Sequence, residues 1–304
     1  MTTNKRSFKD GLQFAWDGTS LELAQTCLRK YYYTMIRGIK PRRTSVHLLF
    51  GGIYASALEH FYKHRAEGLS IEDALREVVR EALVASWDAE AGQPLYFDDT
   101  KKTRVNLIRT IVWYIEQFAE ESEDGIKTYH LQNGKPAVEL SFTLELDEDL
   151  LYCGHLDRVV EFGGHLYVMD QKTTGGTVGT YYFDQFSPNN QMSGYAWAGQ
   201  TILKSPIRGV IIDAAQIAVN FTRFERGITT RTPDQLDEWY DSARYTIQAA
   251  REAATEQRWP MNLSACGNYG GCPFRQLCSR SPSVRENYIK SDYDAHNWDP
   301  LKAR

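Results

Sequence analysis

Residues 151–174 read LYCGHLDRVVEFGGHLYVMDQKTT, and this stretch decides the fold. Apolar residues crowd both sides of Gly163-Gly164, and a two-glycine link suits a tight hairpin turn whose central residues need positive φ. The pattern predicts two antiparallel strands, Leu151–Phe162 and His165–Lys172. Counting outward from the turn, Phe162 faces His165, and five steps later Asp157 faces Asp170. Directly opposed side chains have Cβ atoms about 4.5–5.5 Å apart, and like charges there destabilise a sheet. A divalent cation between the two carboxylates removes that penalty; Mg²⁺ takes one or two carboxylates together with water and phosphate oxygens. Lys172, two residues beyond Asp170, emerges on the same face. Two carboxylates and an ammonium suit metal-assisted phosphodiester hydrolysis, with the lysine serving the attacking water. The bland alternative is a surface hairpin with a weak Asp170–Lys172 pair, but Leu166, Val168 and Met169 mark this as a half-buried strand.

Before the hairpin, Val138, Leu140, Phe142, Leu144 and Leu146 alternate with polar residues and predict a further strand, which turns at 147–149. After it come a helix near Asn189–Leu203, a long apolar strand near Gly209–Phe221 and a helix over Asp234–Gln257. The first third is helical: Leu21–Tyr33 with Ser20 as N-cap, Leu48–Tyr62, Ile71–Trp87 and Val105–Ala119, the last two linked by the turn-rich GQPLYFDD. The order β-β-β-α-β describes an α/β or α+β domain. With 304 residues, 42% hydrophobic and 24% charged, the chain can bury a substantial core. No apolar run approaches the roughly 18 residues of a membrane span. The first residues lack the apolar stretch of a secretory signal, so the expected location is the cytoplasm, with no membrane partner. A net charge of −4 argues against general coating of nucleic acid. A local basic stretch does exist, with Arg29, Lys30, Arg37, Lys40, Arg42 and Arg43 around Tyr31, Tyr32 and Tyr33. It suits phosphate contact and base stacking, or equally a solvated basic face over a tyrosine packing row.

GHLDRVV followed by LYVMDQKTT resembles the core of the PD-(D/E)XK nuclease superfamily in its RecB-like branch, which includes AddB, CRISPR-adaptation and phage exonucleases. That branch carries Q-x-x-x-Y on the following helix, and Gln191-Met192-Ser193-Gly194-Tyr195 stands in that place; residues four apart share a helix face. An earlier helix in the branch carries G-x-x-x-H-x-x-x-E. Here Gly51 and Glu59 match, while Ala55 occupies the position of the metal-binding histidine. The resemblance implies a restriction-endonuclease-like α/β fold: a mixed sheet flanked by helices, with a helical insertion and a cysteine-clasped C-terminal segment. It implies one nuclease domain over residues 1–304, with a helical part at 1–130, a catalytic core at 137–257 and a cysteine-rich tail at 259–304. It further implies Mg²⁺- or Mn²⁺-dependent hydrolysis of DNA as single strands or duplex ends, as an exonuclease, with protein partners in recombination or replication. The implied metal ligands are Asp157 and Asp170, with Glu59 as a third candidate. Lys172, Gln191 and Tyr195 complete the catalytic set; Arg29, Lys30 and Tyr195 are candidates for DNA contact, and Glu139 resembles a glutamate of the first strand. Ala55 is the argument for the competing class, a catalytically weak or inactive DNA-binding or assembly subunit with the same fold.

Cys266, Cys272 and Cys278 cluster in a glycine- and proline-rich loop, and Cys27 lies in TCLRKYYY at the far end of the chain. Four thiolates suit zinc or an iron–sulfur cluster by chemistry alone, or remain reduced structural thiols. Several RecB-like nucleases hold a [4Fe-4S] cluster with one N-terminal and three C-terminal cysteines. The resemblance therefore implies a cluster at Cys27, Cys266, Cys272 and Cys278, acting as a clasp rather than a redox centre. Reversible reduction linked to activity would instead mark a redox protein. Cys153, within a strand, reads as a small buried hydrophobe.

Overall fold

A computed structural model describes residues 8–9, 11–42, 45–95, 97, 99–121 and 125–301; Arg43 of the basic stretch and Tyr96 and Asp98 of GQPLYFDD lie outside the described residues. Two compact units divide the chain, one of residues 44–140 and 155–232, the other of 1–43, 141–154 and 233–304.

The first unit opens with three helices: α1 (Val46–Ala66), α2 (Ile71–Ala85) and α3 (Arg104–Phe118). Ser70 and Thr103 cap α2 and α3 by accepting hydrogen bonds from the amides of Asp73 and Asn106, which would otherwise be unpaired. Their apolar faces meet in one core, where Phe50, Tyr54 and Leu58 pack with Val78, Leu107 and Ile111 against Ala215 and Ile217 of the sheet. These positions recur three and four residues apart, and burying that stripe is what holds such helices down.

The long strands of the seven-stranded sheet are β1 (Val138–Asp147), β2 (Leu150–Phe162), β3 (His165–Thr174), β4 (Ile207–Ile217) and β5 (Thr222–Thr230), and the short strands Ala15–Trp16 and Lys127–Thr128 also pair β2; α4 (Thr180–Asp184) and α5 (Asn190–Leu203) lie between β3 and β4 in sequence. Strand order is β5-β4-β3-β2, with β1 also pairing β2. The β3–β4 pair is parallel and its neighbours antiparallel, giving a mixed sheet flanked by helices, as a restriction-endonuclease-like fold requires. Val210, Ile211, Ile212, Ala214 and Ala215 of β4 are all buried, as expected of a strand covered on both faces; Asp213 among them is buried too, paired with the Tyr114 hydroxyl and with Arg226 at 3.1 Å. Gly163 and Gly164 take φ of +56° and +78°, the positive values that a two-residue hairpin link demands. The ladder they set runs from His165–Phe162 to Met169–Arg158.

The chain departs from the expected long strand over Gly209–Phe221. β4 stops at Ile217, and Thr222–Thr230 returns as β5, an antiparallel edge strand. Arg223 and Glu225 suit an edge, where charge discourages pairing with other chains, while Arg226 turns inward to pair with buried Asp213 at 3.1 Å; these charges hide the strand from a search for apolar alternation.

In the second unit the expected helix Leu21–Tyr33 is broken. A helix spans Gly18–Thr26, Cys27 is extended, and short helical turns follow over Leu28–Tyr31 and Tyr32–Ile36. Asp17, not Ser20, is the N-cap: its carboxylate accepts the Ser20 amide at 2.8 Å, and the Ser20 hydroxyl accepts the Asp17 amide at 2.9 Å. The tyrosine row is packing. Tyr31 is fully buried and stacks on Trp16 with ring centres 5.1 Å apart, Tyr32 stacks on Trp259 at 5.1 Å, and Tyr33 meets Phe274 at 5.2 Å. Cys153 is buried and donates to the Trp16 carbonyl, as a small apolar residue in a strand would. A long helix, α6 (Pro233–Thr255), precedes the cysteine-rich segment. Among the described residues no helix is long and apolar enough to cross a membrane.

Candidate active site

The hairpin register brings the acidic pair together. The paired ladder ends at Met169–Arg158, and the next residue on each strand is Asp170 or Asp157, close enough for the Asp170 charge to act on Asp157. Asp157 Oδ2 accepts the Gln171 amide at 3.1 Å, which fixes the carboxylate against the neighbouring strand. Asp170 is 1% exposed, and Lys172 Nζ lies 2.5 Å from its Oδ2. That contact is one of charge: the ammonium is off the angle of a hydrogen bond, and Asp170 Oδ2 is sealed from water with no hydrogen-bond partner. An anionic oxygen buried without a hydrogen bond is costly, and the Lys172 ammonium beside it offsets part of that cost. Loss of water pushes the Asp157 carboxyl up to about 7, and the Asp170 charge pushes the same way; Lys172 and the Gln171 amide oppose, while Glu139 adds to the rise.

Glu139 reaches this neighbourhood through an unusual backbone. Strict alternation along β1 would turn it outward with Ser141 and Thr143. Instead it takes φ of +51°, a left-handed conformation rare outside glycine, and becomes buried beside Val138. Nothing in the sequence pattern signals that reversal.

α5 supplies the remaining polar groups. Asn189 caps it by accepting the Met192 amide. Gln191, in the first turn, accepts from Lys172 Nζ at 3.1 Å through Oε1 and donates from Nε2 to the Tyr195 hydroxyl at 3.0 Å. Asp170, Lys172, Gln191 and Tyr195 therefore form one continuous chain of polar contacts, and the lysine is held between a carboxylate and an amide.

Three further residues, invisible in the motifs, shape the site. Lys102 is buried and donates to the Thr173 carbonyl and hydroxyl at 3.2 and 3.1 Å; burial lowers its pKa. Lys101 donates to the Gly175 carbonyl at 2.6 Å, so the two lysines pin the chain as it leaves β3. Tyr182 of α4 has its phenol pushed up to about 12, first by burial and then by the Asp170 charge, which marks it as a neighbour of the carboxylates. The spacing of more than 70 residues between Lys102 and Thr173 leaves no local signal for the first two contacts.

Other expected residues are placed differently. Glu59 is on α1 and pairs with Lys63 one turn further on, at 2.5 Å. Ala55 is on the same helix. Arg29 Nε donates to the Trp259 carbonyl at 2.6 Å, so that guanidinium serves packing within the second unit; Lys30 is half-buried. Cys27, Cys266, Cys272 and Cys278 are unpaired, half-buried thiols of the second unit. The Asn262 amide approaches Cys27 Sγ at 3.4 Å. Burial raises the Cys278 thiol pKa; Arg29 and Arg285 pull it down, and Cys272 and Cys27 push it up, so these three thiols share one neighbourhood.

The donor set at Asp157 and Asp170 fits a hard divalent ion: two carboxylates, one carrying an unpartnered buried oxygen, with further positions left to water and phosphate. Among the described residues, no three His, Cys, Asp or Glu side chains converge as a ready cage for a metal ion, so in this geometry the four thiols do not form a closed cluster site.

A mixed sheet whose antiparallel hairpin carries an acidic pair and a lysine suits a class of enzymes that cleave phosphodiester bonds. A model of the PD-(D/E)XK nuclease superfamily matches residues 18–279, and the chain belongs to that superfamily, whose members hydrolyse phosphodiester bonds and generally use divalent metals. A candidate exonuclease from Eubacterium rectale, solved as a crystal structure, is similar in fold, with a TM-score of 0.51 at 10% identity over 88% of this chain and 91% of that one. The crystal structure of SSO0001 gives a TM-score of 0.29 at 13% identity, over 66% of this chain and 87% of that one. No curated protein matches the chain.

Proposed function

We propose that the protein is a Mg²⁺- or Mn²⁺-dependent deoxyribonuclease of the RecB-like branch, acting as an exonuclease on single-stranded DNA or duplex ends. The observation that carries this reading is the buried Asp170 carboxylate, whose Oδ2 makes no hydrogen bond but lies 2.5 Å from Lys172 Nζ and whose charge raises the Asp157 carboxyl. Asp157 and Asp170 hold the metal, which when bound offsets phosphate charge and makes a water acidic enough to attack near neutral pH. Lys172 directs that water toward phosphorus and steadies the charge that develops on the phosphate oxygens. Gln191 fixes the lysine head and Tyr195 fixes Gln191, so the ammonium stays aimed without rearrangement during reaction. The family match runs through both units of the chain, which supports treating the whole as one nuclease domain.

End-labelled single- and double-stranded DNA with Mg²⁺ or Mn²⁺ provides the test. Asp170→Ala and Lys172→Ala should each lose about two orders of magnitude or more in kcat while circular dichroism shows the fold retained. Cleavage by both variants at the wild-type rate refutes the assignment.

A second reading, a DNA-binding or assembly subunit that retained the fold, is favoured by Ala55 in the histidine position and by Glu59 being paired with Lys63. A calorimetric Mn²⁺ titration separates the two, since that subunit should bind no ion at Asp157 and Asp170. For Cys27, Cys266, Cys272 and Cys278 we infer a [4Fe-4S] clasp. It is supported by the shared neighbourhood of Cys27, Cys272 and Cys278 and by the basic side chains that would offset cluster charge. No step of hydrolysis passes through it. Anaerobically purified protein should absorb near 400 nm, and colourless, iron-free protein refutes the clasp.

A further inference from the structure

The segment between Lys172 and Gln191 begins and ends at the carboxylate site, because those two side chains are 3.1 Å apart. Its middle is α4, and the sheet register fixes where α4 lies. Asp170 on β3 aligns with Ile212 on β4, and Ile212 pairs with Gly227 on β5. Residues in one row point to one face, so Gly227 presents the same face as Asp170, two strands and about 10 Å away. A side chain at Gly227 would run into the Phe183 ring, which therefore packs directly against that glycine. α4 is thus seated on the catalytic face of the sheet.

It is also firmly held. The Val178 amide donates to Gln216 Oε1 at 3.1 Å, and Arg223 donates to the Val178 carbonyl. Beyond the helix, Phe186 is buried and its carbonyl accepts from Arg231 at 2.7 Å. With both flanks fixed, the two tyrosines have definite places. Tyr182 packs on Phe186 with ring centres 5.6 Å apart, near enough to Asp170 to feel its charge, and Tyr181 projects with 91% of its surface exposed, the most exposed large apolar side chain among the described residues. A rigid helix that exposes a ring beside a phosphate-cleaving site gains nothing for stability from doing so. An unstacked nucleobase is the surface such a ring complements, since every base has a π-face and a single strand lacks neighbours to cover it.

We propose that α4 is a base-stacking platform for single-stranded DNA, with the Tyr181 ring receiving the base of a nucleotide next to the cleaved phosphate. This deepens the nuclease reading and rests on it for the identity of the site. Fluorescein-labelled oligothymidylate, titrated by anisotropy in Ca²⁺ and cleaved separately in Mg²⁺, tests it. Tyr181→Ala should weaken binding at least about fivefold, as loss of one base–aromatic stack does. Tyr181→Trp should restore binding, and neither variant should shift the melting temperature. An abasic strand should bind wild type and Tyr181→Ala equally.

Wild-type affinity in Tyr181→Ala refutes the platform, and if wild type still cleaves, the nuclease assignment survives that failure. Tyr181-dependent binding without cleavage keeps the platform and removes the nuclease. No binding of oligothymidylate by wild type refutes the platform, and an equal loss on a blunt duplex overturns the single-strand class.

Discussion

Replacing Asp157 by Asn should make the metal-free protein more stable while destroying cleavage, and the size of the effect follows from the acidic pair. Burial and the Asp170 charge raise the Asp157 carboxyl from 3.8 to about 7. A displacement of that size corresponds to about 4 kcal/mol between the two protonation states. Asp157 is only half-buried, so water screens part of it, and about 2 kcal/mol should be observed. The sign is set by linkage: a carboxyl whose folded value is raised contributes stability below its unfolded value and loses it as pH climbs toward the folded one. Wild type should therefore weaken between about pH 4 and pH 7, and Asp157→Asn should not share that loss. In EDTA the variant should match wild type near pH 4 and melt roughly 3 °C higher at pH 7.5. Saturating Mg²⁺ should reverse the ranking, since only wild type gains binding energy from the ion. Thermal denaturation across that pH range, with EDTA and with Mg²⁺, supplies the measurement. A variant less stable than wild type at pH 7.5 in EDTA, or a gap independent of pH, would falsify the electrostatic account of the pair.

Gly227→Ala should destabilise the fold by about 1–3 kcal/mol, because the new methyl collides with the Phe183 ring; urea denaturation reads this, and an unchanged midpoint would mean that α4 is not seated there. Gln191→Ala frees the Lys172 head on one side, so kcat should fall about tenfold or more with KM nearly constant in steady-state assays. A rise in KM alone would place Gln191 in DNA contact instead.

Much of the site was written into short stretches of chain. Gly163-Gly164 and the two-residue period fixed the β2–β3 register, and with it the meeting of Asp157 and Asp170, because turn sterics and pleat geometry act between near neighbours. The helical repeat likewise settled that Gln191 and Tyr195 share a face, and the structure adds the hydrogen bond between them. Local rules failed where a residue's role depends on distant segments. Ser20 read as a cap because its type is right, yet Asp17 holds the geometry. β5 was missed because an edge strand need not be apolar. Tyr31 and Tyr33 suit base stacking or core packing equally by sequence, and only their contacts with Trp16 and Phe274 decide for the core.

The amino-acid order by itself determined the hairpin, the acidic pair, the lysine beside it and the family these define, all consequences of interactions within a few residues. Tertiary structure decided the rest: Lys172 against Gln191, Lys102 against Thr173, Glu139 turned inward, and α4 seated on Gly227. Those contacts arise only when close packing brings remote segments together, and periodicity carries no information about which remote segment will arrive.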